Sequence, residues 1–296
     1  MTTCAIVPLA GKLASVFPLR WVYQIFFLIF LIGSVICGAA TTSNVFIAGR
    51  AIAGVGAAGV ASGGLTIVVI VSKPSQRPLF MGLASGVFAL GMILAPIIGG
   101  AFTEKVSWRW CFYINLPAGL VTLLSMFFFF RPRRIHADEA IVERIKRLDI
   151  VGCLMFVPAS FMILLALQWG GHRYPWRSAT VIGLLVGGSL LILVFAAWQW
   201  HMGDRALVPG EVVGRRNVVL TCMFAFCFLG SLTVMSYYLP EWFQAVQGVS
   251  PLQSGVRILP SIIAQMVALV VVGALGAFLL HLRLSVKLLT DSGCSR

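Results

Sequence analysis

Hydrophobic positions gather in long, nearly unbroken runs, and polar positions gather in the short gaps between them. About 20 mostly apolar residues are what an α-helix needs to cross the hydrocarbon of a bilayer. By that measure the pattern predicts eight spanning helices, at 22–40, 47–71, 79–101, 110–130, 149–168, 179–200, 217–239 and 258–280. Residues 1–10 are apolar but too short to cross alone, and they read as the end of a span whose start is absent. The architecture expected is therefore all-α and integral to the membrane.

Charge tests that count. If Lys12 and Arg20 are set on the cytoplasmic side and sides alternate, sixteen Lys and Arg fall in cytoplasmic segments and five in the opposite ones. Arg50 alone lies inside a span. The bias follows the positive-inside rule, and an error of one span would scramble it. The longest polar segment, Arg131 to Asp149, is "RPRRIHADEAIVERIKRLD". Ile141, Val142 and Ile145 give it a weak helical stripe. It reads as a cytoplasmic linker, or as a segment lying along an anionic membrane surface.

Composition agrees. Of 296 residues, 59% are hydrophobic and only 10% charged, with a mean hydropathy of +0.98. A soluble domain carries about 25% charged residues. The net charge of +13 would point to nucleic acid in a soluble protein, but here the basic residues sit between apolar runs and no nucleic-acid motif is present. The seven cysteines are scattered without metal or redox spacing. No Ser/His/Asp set or phosphate loop is visible, so neither an enzyme nor a cofactor is expected. The start, "MTTCAIVPLAGK", lacks the basic region and full apolar core of a signal peptide.

Two spans carry unusual chemistry. In "FIAGRAIAGVGAAGVASGG", Phe46 to Gly64, small residues recur every four positions: Gly49, Ala53, Ala57 and Ala61, and again Gly56, Val60 and Gly64. Such faces let helices approach closely in lipid. Packing explains the small residues but not Arg50, because an intramembrane arginine costs about 2.5–3.5 kcal/mol on insertion scales. Arg50 is either a functional charge or a side chain snorkelling to the outer interface. The second span, "MGLASGVFALGMILAPIIGGAF", carries Gly82, Gly91, Ala95, Pro96, Gly99 and Gly100. Its helix breakers are tolerated in a bilayer when neighbouring helices satisfy the freed backbone groups, so the pattern predicts a tightly packed, kinked helix within a bundle.

These residues resemble a known family. The spacing G-x8-G-x3-[GA]-P-x2-G looks like the antiporter motif of the major facilitator superfamily, matched here by Gly82, Gly91, Pro96 and Gly99, with Ala95 in place of the usual glycine. "AGRAIAGVGAAG" is similar to the family's fourth-helix motif, with Arg50, Gly54, Gly56, Ala57 and Ala58 in position. "KVSWRWCFYINLPAGLVTLL" and "YYLPEWFQAVQGVSPLQSGVRILP" resemble segments of the fourteen-span drug:proton antiporters, in the style of fungal multidrug and toxin exporters. The family's gating-loop motif survives in part, as Gly11, Leu13, Ala14 and Arg20, with Ser15 replacing its aspartate and Pro18 a glycine.

The resemblance implies a partial helix bundle of that superfamily, with eight full spans plus the stub. It divides the chain into a first bundle (1–130), a basic cytoplasmic loop (131–148), two linker spans (149–200), a cytoplasmic loop (201–216), the first two helices of a second bundle (217–280) and an aberrant tail (281–296). It further implies a monomeric, multi-pass plasma-membrane exporter. Lipid bilayer, protons and a small lipophilic substrate are its partners, and it has no nucleic-acid role. Arg50 would serve proton or charge coupling, and the Gly82–Gly100 helix bending, packing and sealing. None of the nine acids sits in the middle of a span. That leaves Arg50 without an evident partner and keeps an alternative open: a truncated, non-transporting membrane protein or gene-model fragment of such a transporter.

Overall fold

A computed structural model of the chain describes residues 1–74, 76–130, 149–203, 206, 207, 210, 214–250, 253–261, 263–265, 267, 268 and 271. The described elements are helices: α1 (Thr2–Val16), α2 (Leu19–Ala39), α3 (Ser43–Val71), α4 (Arg77–Lys105), α5 (Trp110–Tyr113), α6 (Asn115–Phe129), α7 (Ile150–Trp169), α8 (Ala179–Met202) and α9 (Arg216–Ala245). Seven stretches are long and apolar enough to cross a membrane: α2, α3, α4, α5 with α6, α7, α8 and α9. They match the first seven expected spans. The eighth, 258–280, lies mostly outside the described residues, and 131–148 and 281–296 lie wholly outside them.

Helix ends follow local chemistry. Phe17 precedes a proline, which disfavours helical backbone, and it is extended at φ −104° and ψ 160°. Pro18 then caps α2. Ser178 caps α8 by accepting the Val181 N–H at 3.3 Å, and Asp149 caps α7 through the Gly152 N–H at 2.7 Å. Between α7 and α8 the chain turns tightly at Gly171, whose φ of +78° suits glycine. Around that turn the Arg173 guanidinium lies 5.4 Å from the Trp169 ring centre and 6.0 Å from that of Tyr174. Aromatic and cationic groups together at a span end are the usual anchors of a membrane–water interface.

The described chain forms two compact units. One comprises 1–64 and 112–229, the other 65–111 with the chain from 230 onward. In the first unit α2 is the central helix. Leu19, Tyr23, Phe26, Leu31, Ser34 and Cys37 are buried, while Trp21, Ile25, Leu28, Ile32 and Val35 form an exposed stripe on its other face. An outward face this apolar is stable only against lipid. α6 packs beside α2, where Gly119 leaves room for Leu31 and Phe27 and the Asn115 amide donates to the Ser34 hydroxyl at 3.4 Å. α7 and α8 form a hairpin held by Phe156 against Phe195, ring centres 5.2 Å apart, and α1 packs on α7. The parity of spans agrees with these contacts. Lys12 meets Ala206, and Arg20 meets Phe127, each joining two segments that the charge count puts on one side. The chain is thus an integral, multi-pass membrane protein.

In the second unit α4 runs unbroken through all its glycines and Pro96. Residues 253–261 are helical, and the Ser254 hydroxyl donates to the Pro240 carbonyl of α9 at 3.1 Å.

Candidate functional site

On α3 the small residues do form a packing face, with a different period from the one expected. Gly49, Ala53, Gly56, Ala58, Gly59 and Gly63 are buried. Backbone and side chains of α2 occupy the space a Cβ would need at four of them: Phe30 opposite Gly56, Phe26 opposite Gly59, Cys37 opposite Gly49 and Tyr23 opposite Gly63, the last two at 2.9 Å. Gly54 faces α1, 2.9 Å from Thr2 Cβ by the same measure. Ala57 is half-buried, Ala61 is exposed, and a Cβ at Gly64 would meet nothing within 4 Å among the described residues. A strict four-residue repeat drifts about 40° per step around a 3.6-residue helix, so it leaves the interface after a few steps. The face that stays on α2 mixes steps of three and four.

Arg50 sits one residue from Gly49, and its charge acts on the Cys37 thiol of α2. It is exposed.

On α4 lie Gly82, Gly91, Ala95, Pro96, Gly99 and Gly100. Within its own unit, no described atom lies within 4 Å of a Cβ placed at Gly82, Gly91 or Gly99. The Gly99 carbonyl accepts from the Thr103 hydroxyl at 2.7 Å and lies 3.9 Å from the Cys111 thiol. The Cβ side of these glycines is thus smooth and open among the described residues. The second unit also holds an open cleft of about 640 Å³ lined by Tyr238, Glu241, Trp242, Gln244 and Ala245 of α9.

The gating-loop remnant is mostly not a loop. Gly11 and Leu13 lie inside α1, which continues to Val16 because Pro18 is the first residue that forbids continuation. Arg20 opens α2. Its guanidinium donates to the Phe127 carbonyl, stacks at 5.0 Å from the Phe127 ring centre and at 5.6 Å from that of Trp21. It thereby caps the last turn of α6, where carbonyls lack helical partners and the dipole favours a cation. In this fold Arg20 ties the start of α2 to the end of α6.

One centre escaped the reading of motifs. Asp149 is 2% exposed. Its carboxylate accepts from Gly152 N–H, from Trp198 Nε1 at 2.9 Å, from the Gln199 amide and from the Leu207 N–H. Burial would push the acid up, but the four donors outweigh it and hold the carboxyl below the ordinary aspartate value. The sequence signal was an aspartate directly before an apolar run, the mark of an N-cap. Nothing local announced Trp198 and Gln199, about fifty residues on.

Comparison with known proteins decides the family. The model of the Major Facilitator Superfamily matches residues 1–286. The chain belongs to the major facilitator superfamily. Its relatives include the efflux pump mlcE of Penicillium citrinum, 42% identical over 284 residues, which cover 92% of this chain and 51% of that protein. The MFS-type transporter pigP of Monascus ruber is 42% identical over 278 residues, 93% of this chain and 49% of that one. The aspyridones efflux protein of Neocamarosporium betae is 43% identical over 278 residues, 93% and 49%. The chain spans about half the length of the curated relatives it matches. The residues that resemble the superfamily's fourth-helix motif lie on α3, packed on α2, and those that resemble its antiporter motif lie on one continuous helix, α4.

Proposed function

We propose that the protein works in proton-coupled export of small lipophilic organic compounds across the plasma membrane. The observation that carries this reading is the match of nearly the whole chain to fungal proteins named as efflux pumps and MFS-type transporters. The intact antiporter spacing on α4 supports the coupling to protons. In the mechanism, two bundles rock about a site near the mid-plane. Arg50 is the charge that responds to proton movement, because an arginine at that depth is costly unless it has work to do. Gly82, Gly91, Ala95, Pro96, Gly99 and Gly100 supply the smooth face on which α4 closes against a neighbouring helix and seals the path. Gly54, Gly56, Ala57 and Ala58 fix α3 so that Arg50 keeps its depth. Residues 131–148 lie in the cytoplasm with Lys12 and Arg20, and the protein acts as a monomer.

Expression in a drug-sensitive yeast tests this. Cells making the chain should tolerate a panel of lipophilic toxins better than cells making Arg50→Gln at equal membrane abundance. Equal sensitivity of the two strains and of an empty-vector strain would sink the reading.

A further inference from the structure

The Asp149 centre joins three stretches of chain that no sequence motif connects. Asp149 itself precedes α7. Trp198 and Gln199 come from the last two turns of α8, and Leu207 from the segment after it. Oδ1 takes the Gly152 and Trp198 donors, and Oδ2 takes the Gln199 amide. Gly152 is required here, since a Cβ would collide with the carboxylate and come within 2.7 Å of the Gln199 amide. Next to Leu207, the Ala206 carbonyl accepts from Lys12 Nζ of α1 at 2.8 Å, and both Ala206 and Leu207 are buried. α1 also packs directly on α7. A cap for α7 needs only the Gly152 contact. The remaining three donors and the Lys12 bond bind elements to one another.

We propose that Asp149 is the positioning residue that fastens the α7–α8 hairpin and the 206–207 segment to α1, so that the hairpin moves with α1 and α2 as one body. A buried carboxylate suits this task. Once desolvated it is stable only while its donors stay in place, so separating the hairpin ends leaves an unpaired charge. The inference rests on contacts within one compact unit and stands whether or not the chain transports.

The test uses the 296-residue chain in lipid nanodiscs. Spin labels replace Val7 of α1 and Leu154 of α7, both exposed, on a cysteine-free background. A narrow distance distribution is expected in the parent. Asp149→Asn should broaden it and speed hydrogen exchange at the Gly152 amide and the Trp198 indole roughly tenfold to hundredfold. The double change Asp149→Asn with Gln199→Glu exchanges donor and acceptor across the same bond and should restore both readings. A role confined to capping α7 predicts no rescue. An unbroadened distribution in Asp149→Asn, or broadening that the exchange leaves uncorrected, overturns the proposal. If Asp149→Asn does not fold, Trp198→Phe and Lys12→Met each remove one tie, and unchanged distances in both overturn it equally.

Discussion

At the scale of single residues, two charged side chains hold backbone ends together. Arg20 reaches the Phe127 carbonyl and stacks on the ring of the same residue, so it serves α6 in two ways. Arg20→Met should lower stability by about 1.5–3 kcal/mol, the usual worth of a charge-assisted hydrogen bond, read as a lower thermal midpoint in detergent. Arg20→Lys should recover part of the loss. Asp149 predicts a pH dependence. Its folded value lies below its unfolded one, so its stabilisation is present above the ordinary aspartate value of about 3.9 and fades as pH falls through the lower folded value. The groups facing it are Lys12 from α1, Cys153 in α7 and, beyond the Trp198 ring, His201 of α8. The thermal midpoint of the parent should therefore fall on acidification below about pH 4, and Asp149→Asn should start lower and flatten that part of the curve.

At the scale of elements, close approach between helices is concentrated where α3 meets α2. Phe30 fills the site a side chain at Gly56 would claim. Gly56→Leu should cost at least about 1–3 kcal/mol by overpacking. Gly86 of α4 has no described atom within 4 Å of its Cβ position, so Gly86→Ala should be neutral or slightly stabilising through helix propensity. Melting both variants beside the parent in one detergent checks the contrast, and equal midpoints would contradict it. Much of this level was legible in the sequence. Spans were set by apolar run length; Pro18, Ser178 and Asp149 are local end signals, but run length alone started the α2 span at 22 and put Asp149 inside the α7 span. The α3 face was read with a four-residue period where packing mixes steps of three and four, because a four-residue repeat does not close on a 3.6-residue helix. α1 ran on through Gly11 and Leu13 because glycine weakens a helix without ending it. Trp198 and Gln199 could not have been placed on Asp149, since that pairing depends on how α7 and α8 dock.

At the scale of the molecule, the alternating charge count and the contacts of Lys12 and Arg20 agree on which segment ends share a side. Single cysteines placed at Lys73 and at residue 140 should react with a membrane-impermeant thiol reagent from the cytoplasmic face only, and those at Lys105 and Arg177 from the outer face only. Membership of the superfamily gives that topology its meaning, and the motif helices α3 and α4 give the proposed coupling its residues. The most direct test of proton-coupled export is a pH jump on proteoliposomes containing the purified chain and loaded with a lipophilic fluorescent substrate. An imposed proton gradient should drive substrate movement with counterflow of protons, and Arg50→Gln should abolish the proton flow. Substrate movement that ignores the gradient, or none above protein-free liposomes, would contradict the account.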